Sequence, residues 1–187
     1  NKDDNIDGIL LLRPLPKHIN EKAIEERINP VKDLDGISPV NLAKVYAGDV
    51  NGFAPCTAEA VIEMLDYAGI DLTGKRVTVV GRSLVIGKPV AMMLMKKNAT
   101  VTVCHTKTKD MAGTCRNAEV LVAAAGSEKM IKPDYVADDA VVIDVGINVD
   151  ESGNLCGDVD FDSVAEKTSV ITPVPGGVGS VTTSVLA

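Results

Sequence analysis

The stretch 75–107, KRVTVVGRSLVIGKPVAMMLMKKNATVTVCHTK, leaves this chain the fewest ways to fold. Val77, Val79 and Val80 form a run of β-branched side chains, which favour a pleated strand, and the run stops at Gly81. Gly87 and Pro89 open a helix carrying Met92, Met93 and Met95, and a second apolar run, 100–104, follows Asn98. Strand, glycine turn, helix and strand in this order set backbone N–H groups and a helix N-terminus against a bound phosphate. The unit predicts a dinucleotide site.

The rest of the chain extends the same pattern. Residues 120–124 and 140–145 read as buried strands ending at Gly126 and Gly146, and 170–173 as a short one. Strands separated by helical or mixed segments imply an α/β fold with a Rossmann-like, doubly wound parallel sheet. The only aromatic residues are two Phe and three Tyr, so the core must be aliphatic, as the strands of a sheet buried on both faces require. At 187 residues, folding should bury roughly 70% of the extended chain's surface, which calls for no disulfide or metal staple.

Upstream, 8–12 (GILLL) reads as a strand stopped by Pro14-Leu15-Pro16, and Asn20 as the cap of a helix over 21–28. A short helix is expected over 40–46. Thr57 is expected to cap a longer one reaching Ala68, with Gly69 as its C-cap. A domain boundary falls near Pro55-Cys56. Downstream, 162–167 and 181–186 read as helices. The chain starts at Asn1 without a Met and ends in an apparent mid-helix, as expected of a piece of a longer protein.

The net charge of −7 argues against nucleic acid or an anionic membrane as partner, and no apolar run is long enough to span a bilayer. Cys56, Cys104, Cys115 and Cys156 include no Cys-x-x-Cys pair. With only His18 and His105 to help them, no metal site is expected. They read as free or buried thiols of a reducing, cytoplasmic compartment.

Spacing separates the glycine turn from its look-alikes. A nucleophile elbow needs Gly two residues after the Ser, and Val85 stands there. A P-loop needs four residues between its glycines and a Ser or Thr after the Lys. Here five intervene, and Pro89 follows Lys88. Against the dinucleotide fingerprint, Ser83 replaces the second glycine and the third comes one residue late, so a hydroxyl is available to donate to a phosphate. After the next strand an NAD site would place an acid on the ribose. This chain has His105-Thr106-Lys107-Thr108, with Arg82 nearby in the turn, and cations and hydroxyls fit the 2′-phosphate of NADP. His105 reads as a structural strand-end residue. The loops at 125–127 and 146–148 should line the same cleft.

Several stretches together resemble the bifunctional methylenetetrahydrofolate dehydrogenase/cyclohydrolase (FolD-type) family. They are GILLLRPLPKHIN at 8–20, KDLDGISPVN at 32–41, PCTAEAV at 55–61, GRSLVIGKPVA at 81–91, ATVTVCHTKT at 99–108, VIDVGIN at 142–148, GDVDF at 157–161 and ITPVPGGVGSVT at 171–182. The resemblance implies NADP-dependent oxidation of 5,10-methylenetetrahydrofolate to the methenyl form, then hydrolysis to 10-formyltetrahydrofolate. It also implies a homodimer, and a cleft between two domains that holds folate and nicotinamide. It places Gly81, Arg82 and Ser83 on the cofactor phosphates and ribose, Thr106 near the 2′-phosphate and Ile147 beside the cofactor. It places Asp35 on the pterin, and Gly176 and Gly177 in the loop facing the substrate.

The domains implied are 1–55, the remaining part of a second, folate-binding α/β catalytic domain; 56–169, the NAD(P)-binding domain; and 170–187, a segment returning to the first. The family's catalytic Lys and its Tyr partner lie upstream of the first motif and are not expected in this chain. The family Gln that supports that Lys is replaced by Leu12, followed by Arg13, which puts cyclohydrolase activity in doubt. Gly179-Ser180-Val181-Thr182 departs from the usual Gly-Pro-Met-Thr. Two alternatives stand beside this reading: an NAD-dependent form of the same dehydrogenase, and a non-catalytic NADP-binding module.

Overall fold

The computed structural model describes residues 1–187. In chain order the helices are α1 (Glu21–Glu25), α2 (Pro39–Ala47), α3 (Cys56–Tyr67), α4 (Gly87–Lys96), α5 (Met111–Arg116), α6 (Phe161–Ala165) and α7 (Val178–Leu186). The strands are β1 (Arg76–Val80), β2 (Thr100–Cys104), β3 (Val120–Ala123), β4 (Ala140–Asp144), β5 (Asn148–Val149), β6 (Leu155–Cys156) and β7 (Thr168–Ile171). Five of them form one sheet in the order β2-β1-β3-β4-β7, every pair parallel. β5 and β6 form a separate antiparallel hairpin that the sequence patterning did not reveal.

Parallel strands have helices on both faces, so their central members must be apolar throughout. β3 and β4 are buried at every position, and β1 at every position after Arg76. On one face Val77, Val79, Val120, Val122 and Ile143 meet Val61 and Leu65 of α3, Val90 and Leu94 of α4, and Val178 of α7. On the other, Val80, Leu121, Ala123 and Val142 meet Cys115 of α5 and Val164 of α6. The edge strands β2 and β7 are only partly covered.

The N-terminal expectation over 8–12 fails as a strand. Ile9 makes a single parallel bridge to Asp33, and Leu12 is 76% exposed. A strand persists through ladders to its neighbours, and one bridge cannot hold the apolar run extended as a sheet member. The stretch that this bridge meets, 33–53, is held by buried polar groups. Asp33 accepts the N–H groups of Ile37 and Ser38 and a side-chain bond from Asn41, whose Oδ1 in turn accepts Phe53 N–H. Ser38 caps α2, where Pro39 sits in the first turn at no hydrogen-bonding cost.

Other boundaries move by a few residues. α1 stops at Glu25 rather than 28, and α7 begins at Val178 rather than 181. β7 runs over Thr168–Ile171, two residues ahead of the expected strand, because its pairing to β4 starts with Thr168 opposite Ala140. Thr57 is not the cap of α3: the helix starts one residue earlier, after Pro55, with no local side-chain cap.

All four cysteines are free; Cys56, Cys104 and Cys115 are buried and Cys156 is half-buried. Burial pushes the Cys115 thiol up to about 12 and raises Cys104 as well. Thiolate, not thiol, is the reactive species. We therefore expect a disulfide reagent to titrate Cys156 alone in the folded chain and all four thiols after denaturation. A second fast-reacting thiol would show that the β2–α5 layer or the start of α3 opens.

Candidate active site

All five strands of the sheet end on one edge, and the chain order reverses at β1, with β2 on one side and β3 on the other. A crevice opens at such a switch point, beyond the carboxyl ends of the two diverging strands. Gly81 follows β1 there with φ 129°, and a Cβ at that position would lie 2.1 Å from the carbonyl oxygen of Ala124, at the end of β3. Only glycine fits both the conformation and the gap. The start of α4 closes on the same turn, since a Cβ on Gly87 would lie 2.2 Å from the Gly81 carbonyl oxygen.

Within the turn Ser83 Oγ accepts the backbone N–H groups of Ile86 at 3.1 Å and Gly87 at 3.3 Å. Both lone pairs are engaged, so the hydroxyl proton is left to donate to an anion. Arg82 and Ser83 are exposed, and Arg82 takes part in none of the ion pairs of the chain.

Beyond β2, Thr106 and Lys107 are exposed at the tip of a tight turn. His105 builds that turn: its N–H donates to Thr108 Oγ1 at 2.8 Å, and its Nδ1 accepts Lys107 N–H at 3.1 Å. The first acid after the strand is Asp110, and its carboxylate accepts Gly113 N–H as the cap of α5. No carboxylate stands in the turn itself.

Two residues that the sequence reading left without a role, Asp144 and Asp158, organise the loops of this edge. Asp158 is fully buried, and its carboxylate accepts the N–H groups of Ala125 (2.6 Å), Gly126 (2.9 Å) and Ser127 (2.8 Å), with a fourth bond from the Asn148 side chain (2.9 Å). One carboxylate thus fixes the loop after β3 and the residue following Ile147. Asp144 ends β4 and accepts N–H groups from Gly146, Asp158 and Val159. Burial raises the Asp144 carboxyl above its ordinary range, against the opposing pull of those three donors. A Cβ on Gly157 would lie 1.8 Å from Asp144 Oδ2, so glycine there admits the carboxylate. The visible sign was an Asp inside the otherwise apolar run 140–145 and another inside Gly157-Asp158-Val159-Asp160.

Ile147, 68% exposed, and the Gly176-Gly177 loop after β7 line one cavity of about 170 Å³, closed by Pro175 and the start of α7. Asp35 is placed elsewhere. Its Oδ1 accepts the N–H of Cys56 at 3.2 Å, so this distant carboxylate serves the N-terminus of α3, and its Oδ2 pairs with Arg13 at 3.2 Å. Burial, and next the Asp35 charge, push the Cys56 thiol up to about 11, so it is a neutral donor to the Leu34 carbonyl.

Residues 55–187 match the family model for the tetrahydrofolate dehydrogenase/cyclohydrolase NAD(P)-binding domain, and residues 1–35 match that for the catalytic domain of the same family. The chain belongs to this family. Among its tetrahydrofolate dehydrogenase/cyclohydrolase relatives, the bifunctional protein FolD of Clostridioides difficile (strain 630) is 59% identical over the whole chain, which spans 65% of that protein. The Campylobacter jejuni FolD structure superposes with a TM-score of 0.97 at 46% identity, covering all of this chain and 66% of that one. The Trypanosoma brucei FolD, solved with NADP cofactor and inhibitor, gives 0.93 at 41% identity, with the same two coverages. The chain therefore spans about two thirds of the length of these relatives.

Replacing Asp158 by Asn keeps the shape but sets an NH₂ against two of the four N–H donors in either amide orientation. We expect D158N to lose about 2–3 kcal/mol of stability in urea unfolding. An unchanged midpoint would show that the loops hold without the carboxylate.

Proposed function

We propose that the chain serves NADP-dependent oxidation of 5,10-methylenetetrahydrofolate to the methenyl form, within a protein whose family also hydrolyses the product to 10-formyltetrahydrofolate. The observation that carries the reading is the carboxyl edge of the sheet. A Ser83 hydroxyl free to donate, an unpaired Arg82 and the exposed Thr106 and Lys107 stand where a phosphorylated ribose would lie, and the nearest acid is spent on α5. NAD recognition would ask for a carboxylate in that turn. The Trypanosoma brucei relative, solved with NADP, supports the same choice.

In this reading Gly81, Arg82 and Ser83 hold the cofactor phosphates and ribose, Arg82 reaching the 2′-phosphate beside Thr106, and Ile147 lies beside the cofactor. Asp35 takes the pterin, and the Gly176-Gly177 loop covers the reacting ring. Residues 1–55 then belong to the folate-binding domain, 56–169 to the nicotinamide domain and 170–187 to the return segment. NADP, when bound, supplies the hydride acceptor. What the chain contributes is orientation, because two reactants held face to face gain much of their acceleration from placement alone. That Ile147, Gly176 and Gly177 line one cavity supports placing the cofactor and the substrate side by side there. Leu12, exposed and apolar where the family has Gln, has nothing with which to orient an ammonium group, so hydrolysis should be the weaker of the two activities. The protein is read as a homodimer, as the family resemblance implies, and as cytoplasmic from its free thiols.

Calorimetric titration separates the cofactors. With R82A, NADP affinity should fall about tenfold, the scale of one lost charge-assisted contact, while NAD affinity stays within about twofold. Equal losses for both would place the 2′-phosphate elsewhere. If the chain bound NADP but no folate at all, the non-catalytic module would be the better reading.

A further inference from the structure

Arg13 has no role in the reading so far, yet it stands at the centre of a charged cluster. Its side chain is only 16% exposed, and its guanidinium lies 3.4 Å from Glu25 and 4.0 Å from Glu21 of α1, and 3.2 Å from Asp35. Two acids hold the fork from one side while Asp35 takes it from the other. Burial raises the Glu25 carboxyl, Arg13 pulls it down, and Glu21 and Asp33 add repulsion. The cluster thus holds three carboxylates against one cation.

Asp35 is bracketed by positive groups. One oxygen accepts from the guanidinium, and the other accepts the first N–H of α3, a twelve-residue helix. A carboxylate offers about four acceptor positions. With one protein donor on each oxygen, each keeps a further position, and the two lie side by side at the spacing of a single carboxylate. That arrangement suits a planar ligand edge carrying two adjacent N–H donors, which a pterin presents through its amino group and ring nitrogen.

We propose that Arg13 is a positioning residue for the folate subsite, fixing Asp35 in the orientation that receives those two donors; this rests on the reading of Asp35 as the pterin acceptor. Without the guanidinium, Asp35 faces Glu21 and Glu25 uncompensated and turns towards solvent. The anionic glutamyl tail of a folate also meets a more negative surface. Lysine replaces the fork by a single-point charge that cannot hold Asp35 and Glu25 at once with the same geometry.

The test is calorimetric titration of the chain with tetrahydrofolate and, separately, with NADP, using wild type, R13K, R13L and D35N. R13L should weaken tetrahydrofolate about tenfold or more with NADP changed less than about twofold, and R13K should recover part of the loss. R13L binding tetrahydrofolate as tightly as wild type overturns the proposal. So does an equal loss for both ligands, which would mark Arg13 as merely structural. D35N with unchanged tetrahydrofolate affinity, or wild type that binds NADP but no tetrahydrofolate, sinks the folate reading itself.

Discussion

The parallel pairing of β1 with β2 on one side and β3 on the other is the constraint on which everything else rests. Residue-for-residue register from Arg76↔Thr100 to Val80↔Cys104, and from Val77↔Val120 to Val80↔Ala123, aligns three strand ends on one edge. Parallel strands need crossovers that cover both faces, so the side chains above and below must be apolar and closely fitted. Valine, isoleucine, leucine and alanine fill both layers, and almost no aromatic residue is needed. Because the ladder fixes where the strands stop, it also fixes where the loops that carry polar groups begin.

Those loops are held by buried carboxylates rather than by more hydrophobic packing. Asp158 collects four N–H donors and Asp144 three, joining the ends of β3 and β4 and the segment that follows β6. A buried carboxylate is costly unless its lone pairs are satisfied, and here all the donors but the Asn148 amide are backbone groups that would otherwise be orphaned near strand ends. The same economy recurs at the N-terminal side. Asp33 organises the turn into α2, while Asp35 caps α3 from a distant loop and is steadied by Arg13. Four aspartates thus do for the loops what the valines do for the sheet.

Much of this was legible in the sequence wherever a short-range rule applied. Val77–Val80 before Gly81, the apolar runs at 120–124 and 140–145, and Gly69 after a helix all report local geometry. The strands, the doubly wound class and the glycine turn follow from them. Rules fail where the partner is distant. The run 8–12 has the composition of a strand but only one bridge to pair with, and Thr57 has the chemistry of a cap that a remote aspartate supplies instead. The hairpin of β5 and β6 is two residues per strand, too short for its alternation to stand out.

By itself the sequence determined the class of fold and the chemistry available at its carboxyl edge: an aliphatic sheet, a glycine turn with a serine in it, and an acid-free stretch at 105–108. Its motifs also pointed to the tetrahydrofolate dehydrogenase/cyclohydrolase family that the comparisons establish. Only the tertiary structure decided which polar groups were free. It left the Ser83 proton unpaired, spent Asp110 and His105 on their own turns, buried Asp158 beneath three N–H groups, and set Arg13 against Asp35. The reason is physical. Residue type fixes what a side chain can donate or accept, whereas its remaining capacity depends on neighbours that folding brings from tens of residues away.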